Sequence, residues 1–292
     1  MRRATHRTAR IRGAFPLLLV MAGALAGCGS PERPVDSLEG SPTPDVVSAP
    51  VSSFPVGAGV DYQLGGAYDP PAGVGIVVRD SLEEPAEGVW SVCYVNGFQS
   101  QPGESAEWLE DRPELVLHAD GSPVADPNWP DEYLLDTSTP ARRLELMGVL
   151  GTIIDGCAEA GFDAVEIDNL DSFSRSGGAL TASDNIALAR LLAERAHANG
   201  LAIGQKNAAE LSSDLADEVG FDFAVAEECH RFDECASYTD VYGAAVIDIE
   251  YSDDLRGSFE DACADEETPV STVLRDRDLV AAGAPGYVFA LC

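Results

Sequence analysis

"GFDAVEIDNLDS", residues 161–172, carries the reading on which the fold turns. In an extended strand alternate side chains share a face. Glu166 and Asp168 therefore fall on one side, and Val165 and Ile167 on the other. The apolar pair suits packing against helices. Carboxylates are costly to bury without a partner or a use, so the face that carries them is expected to open into a site. The pattern recurs along the chain. In "AAVIDIEY" (244–251) Asp248 and Glu250 share a face with Val246, opposite Ile247, Ile249 and Tyr251. "GLAIGQKN" (200–207) ends in Gln205, Lys206 and Asn207, and "FDFAVAEEC" (221–229) ends in Glu227 and Glu228. Parity leaves open which of those two acids faces inward. Four successive strand ends thus offer carboxylates, amides and one ammonium, and a single shared site is expected.

Working outward, strands are expected near 60–64, 74–78, 89–95, 163–167, 201–205, 222–226, 244–250 and 269–274. Helix-like runs separate many of them. The stretch 140–161 opens with Pro140 after Thr139 and stops at Gly161, a good start and stop pair. The stretch 181–200 begins at a cap-like Thr181 or Ser183 and ends at Gly200, with Ile186, Leu188, Leu191 and Leu192 as its apolar side. Residues 207–219 read as a shorter helix, and 99–139 as an elaborated loop with one short helix. Some eight strands alternating with helices predict a (β/α)8 TIM-type barrel with its site at the C-terminal strand ends. A doubly wound open sheet is the rival, lowered by the absence of a GxGxxG or P-loop.

The first 28 residues read as a targeting segment. Met1–Arg12 holds five arginines and no acid, an apolar run follows, and "LAGC" ends at Cys28. That ending resembles a bacterial lipobox, with Cys28 the lipidated residue; an ordinary signal peptide is the alternative. Residues 29–53, rich in Pro, Ser and Asp, read as a flexible tether, and 54–292 as the barrel domain. An exported lipoprotein at the cell surface or periplasm, or a secreted protein, is expected, touching membrane only through its lipid anchor. The formal charge is −32, from 18 basic and 50 acidic residues. Without the five leader arginines, 13 basic residues face 50 acids, a charge of −37. That opposes nucleic acid and anionic membranes as partners and suits a cationic ligand. The single lysine, Lys206, lies within one of the strand-end motifs.

Six cysteines besides Cys28 favour disulfides in an exported protein. Cys229 and Cys235 are near enough to staple a loop, Cys263 with Cys292 would pin the C-terminus, and Cys93 with Cys157 remains. No CxxC or HxxxH spacing supports zinc, and no cofactor or metal is expected, although an oxygen-only Ca²⁺ site is compatible with the acids. There is no GxSxG for a serine hydrolase. Two carboxylates from different strands are the minimum for splitting a glycosidic bond, one ionised at the anomeric carbon and one carrying a proton for the leaving oxygen. Tyr94, Trp108 and Trp129 are candidate faces for sugar rings.

These motifs, with "VDYQLGG" (60–66) and "VCYVNGF" (92–98), together resemble glycoside hydrolase family 114, a TIM-barrel group of endo-α-1,4-polygalactosaminidases, over roughly residues 54–274. The resemblance implies hydrolysis of internal bonds in galactosamine-containing polysaccharide, cationic where deacetylated. It implies Asp168 as nucleophile or charge stabiliser and Glu227 as general acid/base. Tyr94, Glu166, Asn169, Lys206, Asn207, Glu228, Asp248 and Glu250 are expected to line the substrate cleft. A monomer is expected. Ala226 and Glu228 stand where the family often has Asn and Gln, which keeps a non-catalytic glycan-binding lipoprotein with the same barrel as the alternative.

Overall fold

A computed structural model describes residues 50–292. The expected leader, Cys28 and nearly all of the tether lie outside those residues. Eight parallel strands form one sheet: β1 (Gly59–Tyr62), β2 (Val74–Asp80), β3 (Trp90–Asn96), β6 (Ala164–Asp168), β7 (Ala202–Lys206), β8 (Phe223–Glu227), β9 (Val246–Tyr251) and β10 (Ser271–Arg275). A small hairpin, β4 (His118–Ala119) with β5 (Ser122–Pro123), belongs to the long β3–β6 connection. β11 (Phe289–Leu291) runs antiparallel to β10. The sheet is nearly closed into a TIM-type barrel. At its seam Ser271 Oγ donates to the Ala58 carbonyl at 2.8 Å, and buried Arg275 reaches the Asp61 carboxylate at 3.1 Å and the Tyr62 carbonyl. Each expected strand is found within about two residues of its expected limits.

Helices cover the outside. α1 (Ser105–Asp111) lies in the β3–β6 connection, and α2 (Pro140–Ala160) completes it. Thr139 caps α2 by accepting from the Arg142 amide, and Gly161 ends it at φ 96°, a backbone region that glycine enters at little cost. α3 (Ala182–Ala198) opens with a capping box between Thr181 and Asp184. α4 (Cys229–Phe232) and α5 (Ala236–Tyr242) follow β8, and α6 (Phe259–Ala264) follows β9. The expected helix at 207–219 is instead a 3₁₀ turn at Ala209–Leu211 and a π turn at Asp214–Val219. The β1–β2 and β2–β3 connections hold no helix, so the outer layer is incomplete on that side. Among the described residues no helix is long and apolar enough to cross a membrane.

The core has two layers. Val60, Tyr62, Ile76, Val78, Phe223, Val225, Ile247 and Ile249 fill the barrel interior. Val165, Ile167, Ile203, Leu146, Leu150, Leu188 and Leu192 pack between sheet and helices. The interior is tight: a Cβ added at Gly204 would come within 2.4 Å of the Phe223 ring. All three expected disulfides are present. Cys93–Cys157 ties β3 to α2, Cys229–Cys235 ties α4 to α5, and Cys263–Cys292 ties α6 to the residue after β11.

Candidate functional site

Three neighbouring strands end in the same way. β6 stops at Asp168, β7 at Lys206 and β8 at Glu227. The next residue is left-handed in each case: Asn169 at φ 64°, Asn207 at φ 50° and Glu228 at φ 63°. Asparagine tolerates that region, whereas for glutamate it is uncommon and costs roughly 1–3 kcal/mol. The left-handed step turns the chain sharply off the barrel rim. Both the strand-end side chain and its successor then face a cavity of about 420 Å³ at the C-terminal mouth.

Lys206 lies at the floor of that cavity, almost fully buried. Its Nζ is 3.3 Å from Glu227 Oε2, 3.4 Å from Glu166 Oε1 and 3.9 Å from Asp168 Oδ2, and donates to the Tyr62 hydroxyl at 2.9 Å. The oxygens of Asp168 and Glu227 that face it therefore lie no further apart than those two distances end to end, about 7.2 Å, a limit compatible with either carboxylate separation found in glycosidases. Burial opposes the charge of Lys206, but Asp168, Glu227 and Glu166 overcome it and hold its pKa well above the ordinary value.

The carboxylates differ in their surroundings. Asp168 accepts from the Tyr94 hydroxyl at 2.7 Å and from the Asn169 amide at 2.7 Å. Glu227 accepts from the Tyr251 hydroxyl at 2.5 Å and from Asn207 Nδ2 at 2.9 Å, while its own amide donates to Asn207 Oδ1 at 2.8 Å. Burial works against the Glu227 charge, yet Lys206, Tyr251 and Asn207 together hold its pKa below the ordinary 4.5. Glu166 is pushed up to about 7 by burial, against the pull of Lys206 and a 2.7 Å hydrogen bond from Tyr62. Its Oε2 has no partner.

Tyr94, Asp168, Asn169, Lys206, Asn207, Glu227 and Glu228 line the cavity, and exposed Trp129 stands at its rim. Glu166 points inward but is fully buried beneath Lys206 and does not reach the wall. Asp248 and Glu250 are placed otherwise than expected. On β9 it is Ile247, Ile249 and Tyr251 that face the barrel, so the two acids point into the outer layer. There Asp248 accepts from the Cys229 amide and Glu250 from the amides of His230 and Arg231, orienting α4. Burial, followed by repulsion from Glu250, pushes Asp248 well up. Trp108 is buried in the outer core, away from the cavity.

Sequence reasoning missed several lining groups. Tyr251 would have been found by reading β9 in the opposite phase. Arg277 follows β10 and forks onto Glu228 at 2.9 and 3.2 Å. Asp126 and Glu132 come from the 99–139 connection, and Arg175 bridges Asp171 at 2.7 Å and Asn169 Oδ1 at 2.9 Å. Glu132 is pushed up to about 7 by burial, against a hydrogen bond from Asn96. Apart from Tyr251, these groups lie outside the strands, where spacing gives no warning of convergence.

A ring of parallel strands with facing carboxylates at its C-terminal mouth is the arrangement of a barrel hydrolase of sugars. The chain belongs to glycoside-hydrolase family GH114, whose model matches residues 41–292, and it is a glycosidase. Two solved structures share its fold. The Aspergillus fumigatus Ega3 complex with galactosamine superposes with a TM-score of 0.65 at 22% identity, covering 84% of this chain and 100% of that one. A variant of the glycoside hydrolase domain of PelA from Pseudomonas aeruginosa gives 0.53 at 17% identity, covering 77% of this chain and 97% of that domain. No curated protein matches the chain in sequence.

Proposed function

We propose that this glycosidase cleaves internal α-1,4 bonds of a galactosamine-containing polysaccharide, with Asp168 and Glu227 as its two working carboxylates. The observation that carries the reading is their approach to one cationic centre, Lys206, across one cavity. The galactosamine bound by Ega3 supports the sugar, as do the cavity's carboxylates Asp126, Glu132, Asp168, Asp171, Glu227 and Glu228. The cavity's cations are already engaged by protein carboxylates: Lys206 by Glu227 and Glu166, Arg175 by Asp171, and Arg277 by Glu228. A protonated amino sugar therefore meets mostly negative charge.

The surroundings of Glu227 favour a different division of labour from the one implied by the resemblance. A general acid needs its carboxyl held near or above its ordinary pKa, whereas Glu227 is held below it. Glu227 suits the carboxylate that stays ionised at the anomeric carbon. Asp168 then delivers the proton to the leaving oxygen as the C–O bond breaks, and water adds its hydroxyl to the anomeric carbon while its remaining proton restores the acid. The Tyr94 hydroxyl can turn from donor to acceptor when Asp168 is protonated.

The full protein should shorten deacetylated α-1,4-galactosamine polymer. Asp168→Asn and Glu227→Gln should each lower kcat by about 10³-fold or more, with binding of the polymer retained. Polymer that binds and stays intact with the parent protein would favour a glycan-binding role. With Glu227 as the ionised partner, the acid limb of kcat/KM lies below pH 4.5, and the alkaline limb reports the loss of the proton donor's proton. Were Glu227 the proton donor, activity would instead be confined to that acid range. We also propose export and lipid anchoring at Cys28. The three disulfides support export, and radiolabelled fatty acid should enter the parent but not a Cys28→Ala variant.

A further inference from the structure

Arg277 has no part in the two-carboxylate scheme, yet it is held on several sides. Nη1 and Nη2 fork onto Glu228 at 3.2 and 2.9 Å, and Nε contacts the two oxygens of Asp253 at 3.1 and 2.9 Å. These contacts fix the guanidinium over the Tyr251 ring, 4.5 Å from its centroid. The hydroxyl of that ring donates to Glu227 Oε1 at 2.5 Å. Resting on the reading of Glu227 as a working carboxylate, we propose that Arg277 is a positioning residue that acts on Glu227 through Tyr251. Glu228 is then the lock that orients Arg277.

A cation over an aromatic face is attracted by the ring's electron density, which pins the ring and draws charge from the phenol, making its O–H a better donor. A planar guanidinium does this only if its plane is set, and a bidentate carboxylate sets it. A glutamine at 228 would offer Arg277 one acceptor oxygen where glutamate offers two. Other groups also face Glu227: Lys206 and Asn207 from the end of β7, Glu166 and Asp168 from β6, and Tyr62 from β1. Their effects on Glu227 do not pass through Tyr251, and this separates them from the effect of Arg277.

The test is a titration of the Glu227 carboxyl by ¹³C NMR, its signal assigned by its loss in Glu227→Gln. Parent, Arg277→Gln, Tyr251→Phe and the double variant are compared. Arg277→Gln should raise the midpoint by about 0.5–1 pH unit, and Glu228→Gln should move it by less in the same direction. In the Tyr251→Phe background, Arg277→Gln should add little. An unmoved midpoint in Arg277→Gln overturns the proposal, and so does a shift that persists undiminished without the Tyr251 hydroxyl. Arg277→Lys, which keeps charge but loses the fork, should fall between parent and Arg277→Gln, and it carries the test if the glutamine variant fails to fold. The titration needs no substrate. A parent that leaves the polymer intact therefore counts against the proposed polymer cleavage, while the midpoints alone decide whether Arg277 acts on Glu227 through Tyr251. With turnover, Arg277→Gln should lower kcat about 3- to 10-fold and leave KM within about twofold.

Discussion

Lys206 occupies the point where Glu166, Asp168, Glu227, Tyr62 and Tyr94 converge, and its charge lets the acids coexist in a buried space. Removing one partner from a buried ionic cluster leaves the others uncompensated and costs about 3–5 kcal/mol. Lys206→Met should lose stability of that order at neutral pH in urea unfolding and recover part of it near pH 5, where the acids can neutralise. Glu227 and Glu166 pull the pH dependence of stability in opposite directions. Glu227, held below 4.5, contributes stability that is present above 4.5 and lost as the pH falls through its folded value. Glu166, raised to about 7, contributes a loss of stability that grows as the pH rises from 4.5 to 7. Glu166→Gln should therefore reduce the slope of the unfolding midpoint against pH across that window, with Glu132, also raised to about 7, keeping part of it. A profile that keeps the parent's slope there would show that another group sets it.

The strands were largely legible because period-two alternation bounded by glycine and polar residues has few other readings. On β6 the alternation gives the true phase, with Val165 and Ile167 against the helix layer. On β9 the phase is the reverse of the expected one. A barrel interior below the mouth is apolar, so Ile247 and Ile249 fit inside it as well as outside. What decides the phase is the set of amides in α4 waiting for Asp248 and Glu250, and alternation along one strand does not reveal a partner on another element. Nor could three-residue β11 or the helix-free connections after β1 and β2 be foreseen. The left-handed turn after β7 can be tested on its own. Asn207→Gly and Asn207→Ala both lose the side-chain bonds to Glu227, but only alanine also strains a backbone at φ 50°. The alanine variant should be about 1–2 kcal/mol less stable than the glycine variant by thermal or urea unfolding.

At the scale of the whole molecule, the ring is held at its seam by side chains and by β11 rather than by a ladder between β1 and β10. Cys263–Cys292 anchors that last strand across 29 residues of sequence. Replacing both cysteines by serine should cost about 2–4 kcal/mol. Faster hydrogen exchange should be concentrated in β10 and β11, with β6–β8 unchanged; uniform loosening would mean that the seam is not a separate weak point. The burial of the chain's one lysine has a practical corollary. Amine-directed acylating reagents and a lysine-specific endoprotease find, apart from the amino terminus, no target on the native surface. Modification or cleavage at Lys206 then counts molecules whose ring has come open, so the protein carries its own label for unfolding.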